Sequence, residues 1–137
     1  MIVELRFPAH TNRMSLVRAA LRGAAELCGF DSAATHDLVL SACEACQNVI
    51  QHGYAGQEIG DIVLSVARRD RDVVISVRDF APPIDPAKIR PRELTDVRPG
   101  GLGTHFIETL MDSVAFSPVA GGAGNLMQMT KRIKVTT

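Results

Sequence analysis

The run Asp37-Leu38-Val39-Leu40-Ser41-Ala42-Cys43-Glu44-Ala45-Cys46-Gln47-Asn48 carries apolar residues at helical spacing, and at roughly 100° per residue Glu44 and Asn48 fall on one face. With Glu44 as the zero of the helical wheel, Asp37, Ser41, Asn48 and Gln51 lie within about 60° of it, while Leu38, Val39, Ala42, Cys46, Val49 and Ile50 crowd the opposite half. The segment therefore reads as a helix with a core face and a polar stripe. Asp31 or Ser32 is placed to cap its start, and the pattern stops at His52-Gly53-Tyr54.

Composition restricts what surrounds this helix. A chain of 137 residues with 46% hydrophobic content has the size of one domain, residues 1–137, with one sizeable core. Fifteen basic residues balance fifteen acidic ones, so no overall field draws the chain to nucleic acid or to an anionic membrane. The N-terminal segment has neither the basic start nor the apolar stretch of a signal peptide, and no run of eighteen apolar residues occurs. A soluble cytoplasmic protein is expected. The three cysteines, Cys28, Cys43 and Cys46, have no disulfide-like spacing. Cys43 and Cys46 form a C-x-x-C, but Cys46 points to the middle of the apolar face and no second pair supplies further ligands, so a core role is expected.

Upstream, residues 2–7 alternate as a strand that Pro8 breaks. A helix capped by Thr11 or Asn12 follows, with Met14, Val17, Leu21, Ala24, Leu27 and Cys28 at helical spacing until Gly29. Arg18, Arg22 and Glu26 take its outer side. Downstream, residues 62–68 and 73–79 read as a hairpin across Arg69-Asp70-Arg71-Asp72. In its second strand Val73, Ile75, Val77 and Asp79 share a face, and a carboxylate on a core face is costly unless it finds a donor. It either caps a turn or belongs to a site.

From Phe80 to Pro99 the chain holds five of its seven prolines, a long irregular segment of the kind that forms binding loops. It ends in Gly100-Gly101-Leu102-Gly103, directly before the helical pattern of Phe106, Ile107, Leu110 and Met111. Bare backbone N–H groups at a helix start suit a phosphate, although hinges use glycine too. Residues 113–119 and 125–135 complete the chain as two strands around Gly121-Gly122-Ala123-Gly124.

In this order the elements resemble the GHKL nucleotide-binding superfamily of gyrase-type ATPases, mismatch-repair ATPases, heat-shock chaperones and histidine kinases, and within it the small bacterial anti-sigma-factor serine/threonine kinases. Ser41 to Tyr54 looks like the N box of that group, Val77-Arg78-Asp79-Phe80-Ala81 like its first glycine box, Gly101-Leu102-Gly103-Thr104 like its second, and Gly124 to Lys131 like its final strand. The resemblance implies an α/β fold, a two-layer α+β sandwich with a mixed, mainly antiparallel sheet and helices packed on one face. It implies ATP or ADP with Mg²⁺: Asn48 as the metal residue, Glu44 as general base, Asp79 as acceptor for the adenine amine, Thr130 completing the adenine contact, and Ala81, Gly101, Leu102, Gly103 and Thr104 in the nucleotide-binding boxes.

The implied activity is a kinase that phosphorylates an anti-anti-sigma (STAS-type) partner and controls a sigma factor by partner switching, with a homodimer as the implied assembly and no nucleic acid or membrane among its partners. The alternative is a non-catalytic nucleotide-binding module of the same fold that acts by docking. Glu44 favours the first. Ala81 leans slightly toward the second, because it stands where the resembled box carries glycine; if that glycine serves close approach to adenine or a positive φ, the methyl group costs about 1 kcal/mol or more and weakens nucleotide affinity.

Overall fold

The computed structural model describes residues 1–57, 60–82, 107–119 and 124–134. Its strands are β1 (Val3–Pro8), β2 (Asp61–Arg69), β3 (Asp72–Asp79), β4 (Ser113–Pro118) and β5 (Asn125–Arg132), and its long helices are α1 (Met14–Leu27) and α2 (Ser32–Asn48). The strands form one sheet in the order β1-β2-β3-β5-β4. All four pairings are antiparallel, so the mixed sheet expected from the sequence is antiparallel throughout these strands.

Alternation in each strand sorts the sheet into two faces. Register aligns Leu5, Leu64, Val77, Met127 and Phe116 in one cross-strand row, and Val3, Val66, Ile75, Met129 and Val114 in the next. These rows supply the sheet's side of the core, with Leu64, Val66, Ile75, Val77 and Met129 almost wholly buried. Each such aliphatic side chain contributes about 1.5–3 kcal/mol by leaving water. The row beyond them, Phe7, Ile62, Asp79, Asn125 and Pro118, lies at one end of the sheet and brings the buried polar side chains of Asp79 and Asn125 together. On the opposite face Phe80 lies between two guanidinium groups, Arg78 at 4.7 Å and Arg6 at 5.3 Å from the ring centre, and Arg6 also pairs with Asp61 at 2.9 Å.

The helices cover the inner face. α1 buries Met14, Val17, Leu21, Ala24 and Ala25, and Cys28 follows at its end. Leu27, expected on this side, is 78% exposed; the stripe drifts to Ala25 and Cys28 and leaves Leu27 about 100° from its centre. The turn before α1 (Thr11–Arg13) is capped neither by Thr11 nor by Asn12: His10 accepts the Asn12 N–H through Nδ1 at 3.0 Å. Gly29 ends the unit at φ +83°. Asp31 caps α2, accepting the Ala34 N–H at 2.8 Å, and Leu38, Ala42, Ala45 and Cys46 are almost wholly buried. Burial raises the pKa of the Cys46 thiol far above its ordinary value, as suits a residue of the core. Ser41, read as part of the polar stripe, is 1% exposed, and its hydroxyl has no hydrogen-bond partner among the described residues.

Beyond Asn48 the helix continues as a π turn, Val49–Gly53, closed by the Tyr54 N–H on the Val49 carbonyl at 2.9 Å. The wider turn advances the chain so that Gly53 meets the end of β3 and Tyr54 turns inward. The Tyr54 hydroxyl accepts the Phe80 N–H and donates to the Asp61 carbonyl, each at 2.8 Å. Because Ile62 pairs with Asp79, residues 61 and 80 are the next pair in the ladder. The phenol therefore bridges two backbone groups that the ladder itself leaves apart, and its ring covers Gly60, where a Cβ would lie 2.6 Å from ring atoms.

Residues 107–110 are helical, with Ile107 and Met111 buried. Lys131, at the end of the core face of β5, donates to the Leu110 carbonyl at 2.8 Å and lies 3.9 Å from Asp37 Oδ2, tying this helix to α2. Among the described residues no helix is long and apolar enough to cross a membrane.

Tyr54→Phe removes the hydroxyl bridge and leaves the Asp61 carbonyl and the Phe80 N–H without that partner. Urea unfolding is expected to show a loss of about 1–3 kcal/mol with an unchanged m value. An unfolding midpoint equal to that of the wild type would show that the bridge does not hold these strand ends.

Candidate active site

Asp79 ends β3 on the core face with 3% of its surface exposed. Its Oδ1 accepts the Ala81 N–H at 3.0 Å and the Asn125 side-chain amide at 3.0 Å. The Asn125 Nδ2 also donates to the Pro82 carbonyl at 3.1 Å. Burial pushes the Asp79 carboxyl above its ordinary value, while these hydrogen bonds and the charge of Arg78 pull it back. The approach of β5 to this point needs a glycine. Gly124 has φ +117°, and a Cβ there would come 2.1 Å from the Asp79 carbonyl oxygen.

The second carboxylate oxygen looks toward the π turn. A Cβ on Gly53 would lie 4.0 Å from Asp79 Oδ2, 3.5 Å from the Ala81 methyl and 3.7 Å from Val49 Cγ1. The missing side chain leaves a small space walled by apolar carbons in front of a buried acceptor. A buried acceptor at that point calls for an N–H donor. Tyr54 is the titratable neighbour from the helix layer; burial raises its pKa first, and the charge of Asp79 adds to the effect.

Ala81 does not bear the strain expected of it. Positive φ among the described non-glycine residues is confined to Ala55 and Asp70, so Ala81 occupies an ordinary backbone conformation. Its methyl group is buried and faces Gly53, which supplies the open space at this point.

Glu44 and Asn48 are both half-buried on α2. Asn48 immediately precedes the π turn that carries Val49 and Gly53 to Asp79, and Glu44 lies one helical turn, about 6 Å, further back. The two arms of the site are thus successive turns of one helix and the adjoining end of the sheet.

Thr130 is not brought to this place. Register pairs it with Val74 and Ser113, on the sheet face opposite to Asp79 and Asn125, and five residues along β5 from Asn125, roughly 16 Å. The residue of β5 that meets the carboxylate is Asn125, which pairs with Asp79 across the ladder. Nothing in the apolar alternation marks Asn125; the available signal was the glycine before it at the start of a strand. Gly101, Leu102, Gly103 and Thr104 lie outside the described residues, as do most of the proline-rich segment and residues 120–123.

The chain matches the histidine kinase-like ATPase domain family across residues 7–131. It is 33% identical over 120 residues to the serine-protein kinase RsbW of Listeria innocua, an overlap of 82% of this chain and 76% of the relative. The Bacillus cereus serine-protein kinase RsbW is 26% identical over 140 residues, covering 96% of this chain and 85% of the relative. Among solved structures, the RsbU and RsbW domains of a Mycobacterium tuberculosis protein superpose with a TM-score of 0.66 at 25% identity; the match covers 98% of this chain and 35% of that one, so this chain spans about a third of that protein. The SiaB–SiaC complex of Pseudomonas aeruginosa gives a TM-score of 0.69 at 15% identity over 96% of this chain and 90% of that one, a likeness of fold. A five-stranded antiparallel sheet backed by helices, with Glu44 and Asn48 on the helix whose π turn meets Asp79, is thus accompanied by sequence similarity over almost the whole chain: it belongs to the histidine kinase-like ATPase domain family.

Proposed function

We propose that this chain is an ATP-dependent protein serine/threonine kinase of the anti-sigma type, acting on a STAS-type anti-anti-sigma partner and controlling a sigma factor by exchange of partners. One observation carries the reading: α2 delivers Glu44 and Asn48 on a single half-buried face and, through its π turn, walls the space in front of the buried acceptor Asp79 Oδ2. Similarity to serine-protein kinases named RsbW supports the choice of reaction. The family implies a nucleotide, and the buried acceptor Asp79 Oδ2 supports adenine as its base.

In this proposal Asp79 Oδ2 accepts the exocyclic amine of the base, and Val49 and Ala81 line the ring. Asn48 would hold Mg²⁺, and the Gly101-Leu102-Gly103-Thr104 sequence, outside the described residues, would offer backbone donors to the phosphates. Bound MgATP would supply the phosphoryl group and the metal charge that offsets it. Glu44 takes the proton of the acceptor hydroxyl, being a carboxylate one turn from Asn48 with no side-chain hydrogen bond to any described residue. A homodimer in the cytoplasm belongs to the same proposal, on the resemblance to anti-sigma kinases. Ala81 has no positive φ, so backbone strain there lends the docking module without catalysis no support.

The test is Glu44→Ala. MgATP affinity measured by calorimetry is expected to stay within a few fold, while phosphoserine formation on a STAS-type substrate falls by roughly 10² or more. Wild-type rates in the variant would remove Glu44 as the base. A wild-type protein that binds MgATP yet phosphorylates no STAS-type substrate from its own organism would decide for the docking module.

A further inference from the structure

Asn125 and Asp79 face each other across the β3–β5 ladder at its last described pair. The asparagine is 7% exposed. Its amide nitrogen has two acceptors in reach, Asp79 Oδ1 at 3.0 Å and the Pro82 carbonyl at 3.1 Å, so both amide hydrogens are committed. Oδ1 also takes the Ala81 N–H at 3.0 Å. Oδ1 is thus engaged twice, the Asn125 backbone N–H donates to the same carboxylate, and Oδ2 is the oxygen nearest the space beside Gly53 and Val49. The same amide also holds the chain just past the end of β3, at Pro82. Gly124 makes the arrangement possible by letting the backbone before Asn125 approach the Asp79 carbonyl.

Resting on the adenine reading of Asp79, we infer that Asn125 is a positioning residue that sets base specificity, holding the carboxylate so that Oδ2 is presented to the purine 6-amino group. A second consequence follows from charge. Arg78, on the same strand, stabilises the Asp79 carboxylate; Tyr54 is the titratable neighbour from the helix layer; the segment after β3 offers the Ala81 N–H and β5 offers Asn125. Burial opposes ionisation, and the Asn125 amide is the foremost of the groups that favour it. Without Asn125 the carboxyl holds its proton to a higher pH. The charge-assisted bond to the amine is then lost at a higher pH as a solution is acidified.

The experiment titrates ATP and its 6-oxo analogue, ITP, into the full chain by calorimetry from weakly acidic to neutral pH, for wild type and Asn125→Ala. Wild type is expected to favour ATP. In Asn125→Ala, ATP affinity is expected to fall about tenfold with ITP affinity little changed, and the acid loss of ATP binding moves to higher pH. A purely structural role for Asn125 would weaken both nucleotides together and leave the pH profile in place, which would overturn the inference. If Asn125→Ala fails to melt cooperatively, Asn125→Asp keeps the side-chain shape but removes the donors and sets a second carboxylate beside Asp79. Wild-type discrimination in that variant would equally overturn it. A wild type that binds ATP and ITP alike removes the adenine reading itself, and the inference with it; a discriminating wild type with an unaltered variant removes the inference alone.

Discussion

A carboxylate cannot remain charged inside an apolar layer unless donors surround it, and Asp79, 3% exposed at the end of β3, imposes that condition on every element that meets it. β5 answers with the Asn125 amide, and the segment after β3 answers with the Ala81 N–H. The π turn withholds a side chain at Gly53, and Gly124 lets two backbones come closer than any Cβ permits. These are compensations for one buried charge, and they leave one of its oxygens facing a small apolar-walled space. The polar end of the core is therefore the part of the fold where structure and function cannot be separated.

The helix layer is registered against the sheet by three ties. Tyr54 inserts its hydroxyl between the Asp61 carbonyl and the Phe80 N–H, so the end of the π turn is locked to the ends of β2 and β3. Lys131 reaches from β5 to the Leu110 carbonyl and lies 3.9 Å from Asp37, joining the helix at 107–110 to α2. Leu38, Ala42 and Cys46 bury the other face of α2. Because Glu44 and Asn48 stand between the first and second ties on one rigid helix, their placement relative to Asp79 follows from packing and needs no contact between the three side chains.

Much of this was legible in the residues. Alternation in 73–79 put Asp79 on the core face with Val73, Ile75 and Val77, and burial follows that parity throughout β3. Helical spacing placed Leu38, Ala42 and Cys46 inward, and the order of boxes pointed to the family that the chain matches. The failures were of register and of local conformation. Thr130 was assigned from its position near the end of a motif, yet strand parity turns it to the other face. Asn125 was overlooked because its importance arises from pairing with a residue 46 positions away, which no local pattern encodes. Ser41 fitted a polar stripe on the helical wheel but is covered by the fold, and of the two reasons for a cost at Ala81 the positive φ is one that the backbone does not adopt.

The central claim is that Asp79 is held as the acceptor for the amine of adenine. Calorimetric titration of MgATP into wild type and Asp79→Asn tests it most directly, since the amide keeps the size of the carboxylate but replaces an accepting oxygen with a donor. The account predicts a loss of affinity of about tenfold or more in the variant, which should still melt cooperatively. Equal MgATP affinities in the two proteins would contradict it.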